Sequence, residues 1–102
     1  MGKIYPGKLT AFEYITEQLR KKAYKPHKIA QRLWVYWGGD PRKERQHKGT
    51  AIQMIHHMKH FRYEGGRLAE MGLKLEETED GKVFIREMTA EEARSWRVFN
   101  VD

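Results

Sequence analysis

The hydrophobic period of this chain changes from about 3.6 residues to 2 near Gly72. That switch restricts the fold to helices followed by a hairpin. The stretch from Gly49 to Ile85 carries it. With Ala51 at zero and a step of about 100° per residue, Ala51, Ile55, Met58 and Arg62 fall within about 45° of one line, with Ile52, Met54 and Phe61 at the margins. The opposite face holds Gln53, His56, His57, His60, Tyr63 and Glu64. A solvated helix face usually shows Lys, Glu and Ala. This one shows amides, imidazoles and a phenol, which exchange hydrogen bonds at short reach, and it reads as a face that contacts a partner. The helix is expected over residues 50–63, breaking at Gly65-Gly66, with at most one further turn before Gly72.

Beyond Gly72, Leu73, Leu75 and Glu77 alternate with Lys74, Glu76 and Thr78, and a second run, Lys82 to Glu87, follows the Glu79-Asp80-Gly81 turn. A two-residue Asp-Gly turn would set Leu75 opposite Arg86. A three-residue loop with Gly81 in the left-handed conformation sets Leu75 opposite Ile85 and Glu77 opposite Val83, which buries the aliphatic side chains on one face; this register is expected.

Upstream, residues 1–9 read as an extended arm, because Pro6 and Gly7 interrupt any helical period. Thr10 with Glu13 forms a capping box, opening a helix with Phe12, Ile15 and Leu19 on its apolar stripe. Lys25 before Pro26 ends the first helix near Tyr24, and Pro26 opens the second. Ile29, Ala30, Leu33, Trp34 and Trp37 follow at helical spacing until Gly38-Gly39. Two Trp at i and i+3 beside Leu33 read as core; if any ring of this helix is exposed, it is expected to be Tyr36. Residues 38–49 form a charged connection. Asp40-Pro41 could cap a short helix that lengthens the third, or the segment could be a loop. Thr89 with Glu92 is a second capping box, predicting a short helix over 90–97, and the tail from Val98 reads as a strand beside the arm. Together these predict a single α+β domain: arm 1–9, three helices within 10–63, a hairpin wing over 73–88, and a short final helix.

Residues 1–69 hold 15 Lys+Arg against 5 Asp+Glu, and residues 70–102 hold 5 against 9. The first part therefore suits a polyanion, and the second suits structure, a protein partner or another copy of the chain. Cys is absent, so neither a disulfide framework nor a Cys-type zinc site is possible. With no signal-peptide pattern and no membrane-length apolar run, a cytoplasmic protein is expected. An enzyme is not. Ser95 is the only serine, and Gly65-Gly66 lacks the Lys-Ser/Thr of a phosphate loop. His56, His60 and Glu64 at i, i+4 and i+8, with His57 adjoining, resemble a helical zinc pair. They lack a separate third ligand and a general-base Glu, so no metal or other cofactor is expected.

Nucleic acid is the partner that several features share. Arg20, Lys21, Lys22, Lys25, Lys28 and Arg32 form a run of cations with no acid among them, and Arg42, Lys43, Arg45 and Lys48 follow. These would hold phosphates, with Thr50 beside one at the helix start. Gln53, His56, His57 and His60 would present hydrogen-bonding groups to base edges in a major groove. Charge alone does not separate DNA from RNA.

Helix, helix, longer helix and hairpin, with Ile55, Met58, Phe61-Arg62, Leu68, Gly72-Leu73 and Asp80-Gly81 through Ile85, resembles the winged helix-turn-helix domain of response-regulator outputs and of small phage or mobile-element regulators. The resemblance covers about residues 10–88. It implies a three-helix winged-helix-like domain whose third helix directs duplex DNA binding in transcription or recombination. The link of about ten residues between the second and third helices is longer than a strict helix-turn-helix uses. The wing tip, Glu76-Glu77-Thr78-Glu79-Asp80, is acidic where a wing meets phosphate. That tip favours an alternative from another class: a phage-encoded inhibitor or adaptor acting by protein contact on a CRISPR effector, a nuclease or an RNA polymerase, with the Trp- and His-rich surfaces as hot spots. The wing and the Trp96 helix would also be free for self-association.

Overall fold

The computed structural model describes residues 7–40, 42, 45–59 and 64–100, with the side chains of 45–48, 50, 64 and 98–100 left aside. Its elements run α1 (Ala11–Lys21), α2 (Pro26–Tyr36), α3 (Arg45–Met58), α4 (Glu64–Glu70), β1 (Leu73–Glu77), β2 (Val83–Glu87) and α5 (Ala90–Asn100). The class is α+β, with an antiparallel hairpin followed by a helix. Among the described residues no helix is long and apolar enough to cross a membrane.

The capping box of α1 is in place. Thr10 N–H donates to Glu13 Oε1 at 2.9 Å and Glu13 N–H to Thr10 Oγ1 at 3.2 Å. Lys22 is already extended, with φ −160 and ψ 150. The chain then lays Tyr24 against β2, its N–H donating to Val83 O at 3.0 Å and its carbonyl accepting from Val83 N–H at 2.8 Å. Pro26 starts α2 immediately after. The end of α2 is a Schellman arrangement. Gly38 takes φ +89 and its N–H donates to Val35 O at 2.9 Å, while Gly39 N–H donates to Trp34 O at 2.9 Å. Gly39 then lies against the indole of Trp34, so that a Cβ at 39 would overlap the ring atoms.

The hairpin takes the expected register, with Leu75 opposite Ile85 and Glu77 opposite Val83. Thr78 N–H donates to Lys82 O at 2.8 Å, and residues 79–81 form the loop, with Gly81 at φ +85. Leu73, Leu75, Val83 and Ile85 face the core, where they join Ile15, Leu19, Ile29, Leu33, Ile55 and Leu68 in one buried cluster spanning α1 to β2. Each such side chain contributes about 1.5–3 kcal/mol by leaving water.

Four boundaries differ from the sequence expectation. The first is the end of α1, which stops at Lys21 and not near Tyr24 because the chain turns extended to pair Tyr24 with Val83. Helix α3 begins at Arg45 and not at Thr50, taking the longer of the two forms open to the 38–49 segment. Gly49 sits inside it, at a cost of about 1 kcal/mol relative to Ala, which the packing of α3 on α2 and α4 outweighs. The expected reach of this helix to Tyr63 falls on residues outside those described. Gly65-Gly66 do not break the chain but lie in the first turn of α4. Backbone N–H groups there have no intrahelical acceptor in any case, so weak propensity costs little. Finally, α5 runs to Asn100, so residues 98–100 are helical and not a strand. No Gly or Pro interrupts it once Thr89 and Glu92 have capped its start. Residues 1–6 of the expected arm lie outside the described residues. Leu9 is pinned, its N–H donating to the Tyr36 hydroxyl at 2.9 Å and its carbonyl accepting from Trp37 Nε1 at 3.0 Å.

Candidate nucleic-acid interface

Helix α3 separates its two faces as its period predicts. Ala51 (0% exposed), Ile55 (2%) and Met58 (3%) seat it on the core, while Gln53 and His56 point outward. His57 is half-buried, with its ring 6.0 Å from that of His56. Ile52 is exposed beside them. His60, Lys43 and the side chains of Arg45, Lys48 and Thr50 lie outside the described residues. Among the described residues no group of three His, Asp or Glu is placed to hold a metal ion.

The cations of the 20–32 run do not gather around α3; they spread over three places. Arg20 and Lys21 stay on α1, with Arg20 at 4.0 Å from Glu87 and Lys21 at 3.5 Å from Glu17. The Asp80 carboxyl in the hairpin loop is held below its ordinary range chiefly by the Thr78 hydroxyl hydrogen-bonded to it, with Lys82 and then the exposed Lys25 adding to the shift. Lys22, Lys28 and Arg32 belong to the junction of α1 and α2. Arg32 Nη2 donates to Gln18 Oε1 at 3.2 Å, and its guanidinium lies 4.9 Å from the centroid of Tyr24, with Lys22 Nζ 5.7 Å from the same ring. Arg42 is tied to Asp40 at 3.3 Å. The Asp40 carboxyl is lowered chiefly by the Arg42 backbone N–H, which it accepts at 2.9 Å, and then by the Arg42 side chain.

The acidic wing tip is largely paired. Glu77 Oε1 lies 3.5 Å from Lys59 at the end of α3, Asp80 lies 3.8 Å from Lys82, and Glu76 lies 2.8 Å from Arg86. Glu79 stands exposed beside them.

Tyrosines are what the sequence does not single out. Tyr36 is half-buried and not the exposed ring: it stacks on Tyr14 with centroids 4.4 Å apart and planes at 24°. Lys8 Nζ lies 4.9 Å from the Tyr36 centroid. Burial pushes the Tyr14 phenol up, against the pull of the nearby Arg32 charge. Trp37 is buried, as its spacing predicts, and half-buried Trp34 donates its indole N–H to Asp40 O at 2.6 Å. Tyr24, two residues before Pro26, and Tyr36, the last residue of α2, are the available signals, but neither spacing pairs them with Tyr14.

Comparison with family models, with curated proteins and with solved structures finds no match for this chain.

Proposed function

We propose that this protein is a small intracellular, winged-helix-like, sequence-directed DNA-binding protein: a transcriptional regulator or recombination accessory factor of a phage or mobile element. The observation that carries this reading is the outward pair Gln53 and His56 on a helix whose inner face is fully buried. A rigid helix with amide and imidazole groups projecting from it suits base edges in a major groove. The chain order also supports it. A bridging residue, Tyr24, between the first two helices pairs with the second strand of a hairpin that follows the third helix, as a winged helix requires. Helix α4 is an addition between the reading helix and the wing. Pairing of Glu77 with Lys59 and of Asp80 with Lys82 lowers the repulsion that an acidic tip would otherwise bring to a phosphate backbone.

The test is fluorescence anisotropy with a mixed-sequence labelled duplex from about 50 to 200 mM salt, where a phosphate-contacting protein weakens steeply. No binding at the low-salt end removes the reading.

One observation favours the alternative of inhibition or adaptation by protein contact. Met71 is 56% exposed in a groove whose apolar floor of Leu9 and Phe12 is rimmed by Glu13, Glu17, Arg20 and Lys21, a surface that a protein partner would cover.

A further inference from the structure

We propose that the groove between α1 and α2 binds an unpaired nucleotide of single-stranded nucleic acid, at a surface separate from the outward face of α3. Cations and tyrosines alternate along this side of the molecule. Lys8 lies over Tyr36, Tyr36 stacks on Tyr14, Arg32 reaches Gln18 and lies over Tyr24, and Lys22 approaches Tyr24. Long basic side chains are normally costly to order on binding. Here the rings already hold Lys8, Arg32 and Lys22 in place, which reduces that cost.

The groove itself has a volume of about 440 Å³ and is lined by Tyr14, Lys28, Gln31, Arg32, Val35 and Tyr36. A nucleotide presents three chemistries, and each has a counterpart here. Its base offers an apolar flat face, which Val35, 47% exposed, can meet. The planar guanidinium of Arg32, one turn earlier on α2, supplies a stacking surface beside it. The polar edge of the base needs both a donor and an acceptor, and the amide of Gln31 carries both. The phosphate falls to Lys28, with Lys8 and Lys22 at the two ends of the strip for its neighbours along the strand. No carboxylate lines the groove, which disfavours a cationic occupant. A duplex keeps its bases stacked inside, so only an unpaired base can enter.

The experiment compares a labelled oligothymidylate of about 16 nucleotides with a duplex of the same length at low salt. Val35→Glu and Arg32→Ala are the two variants, each checked for an unchanged unfolding midpoint. Val35 is exposed, so its substitution leaves the core intact. The expected result is a loss of about tenfold or more in single-strand affinity for both variants, with the duplex affinity of Val35→Glu within about twofold of the parent protein. Single-strand binding indifferent to both substitutions overturns the proposal. So does its absence in the parent protein, or displacement of the oligonucleotide by polyglutamate at equal charge, which would assign the groove to an acidic peptide. Gln53→Ala, tested in parallel, lowers duplex discrimination alone, so that failure of one surface is distinguishable from failure of the other.

Discussion

Arg86 meets Glu92 through two parallel hydrogen bonds, Nη1 to Oε1 and Nη2 to Oε2, both 2.8 Å long. The same carboxylate accepts the Thr89 backbone N–H at 2.9 Å and Lys74 Nζ at 3.0 Å, so one side chain both caps α5 and fastens it to the outer face of the hairpin. Arg86 is the largest cause of a Glu92 carboxyl held far below its ordinary range, followed by the Thr89 N–H and Lys74. A depressed carboxyl contributes stability that is present above its unfolded value, about 4.3, and is lost as pH falls through the folded value. Glu92→Gln is therefore expected to lower the urea midpoint at neutral pH, with the gap from the parent protein closing in acid. Denaturation curves at about pH 7, 5 and 3 measure this; a gap that does not change with pH would contradict the linkage.

Thr16 carries a different kind of cost. It is 6% exposed, and its hydroxyl has no hydrogen-bond partner among the described residues. A buried unpaired hydroxyl costs about 1–3 kcal/mol. Thr16→Val keeps the shape and removes the polar atom. It should raise stability by about 1 kcal/mol, seen in calorimetry as a midpoint about 4–8 °C higher for a domain near this size. An unchanged or lower midpoint would show that the hydroxyl is satisfied in solution.

Gly39 makes the close approach that ends α2. Because a Cβ there would overlap the Trp34 indole, Gly39→Ala must push the ring off the chain and strain its hydrogen bond to Asp40 O. A loss of about 1–3 kcal/mol is expected, as for other overpacked sites. Gly49→Ala is the control: nothing lies within 4 Å of a Cβ at that position, and the helix gains about 1 kcal/mol. Opposite signs for the two substitutions, measured by urea denaturation, are the expected outcome.

Features that rest on neighbouring residues are the legible ones in this sequence. Both capping boxes, the Pro26 start, the buried stripe Ala51-Ile55-Met58 and the hairpin register all follow from spacing, turn chemistry or period. The start of α3 is less legible, because Gly49 weakens the local preference and packing against α2 decides the matter. Least legible is the direction of the cations. Arg32 turns toward α1 because Tyr24 is held against Val83, a pairing that no local pattern contains. A basic run that reads as one phosphate patch is thus divided by the way the chain enters α2.

That division sharpens what α3 is expected to do. With Arg32 and Lys22 engaged at Tyr24 and Lys21 at Glu17, the outward face of α3 would, in the proposed DNA-binding role, supply direction more than attraction. Gln53→Ala and His56→Ala should therefore reduce the preference for a selected site over random duplex by about 1–3 kcal/mol at the contacted base pair. The dependence of affinity on salt should stay as it was, since neither substitution removes a phosphate-neutralising cation. Lys25→Glu, at the hairpin loop, should do the reverse, weakening all duplexes alike and flattening the salt slope by about one. Site selection followed by competition titrations at two salt concentrations measures both effects. If Gln53→Ala weakened every sequence equally, the amide would be holding backbone and not base, and α3 would lose its role as the reading helix.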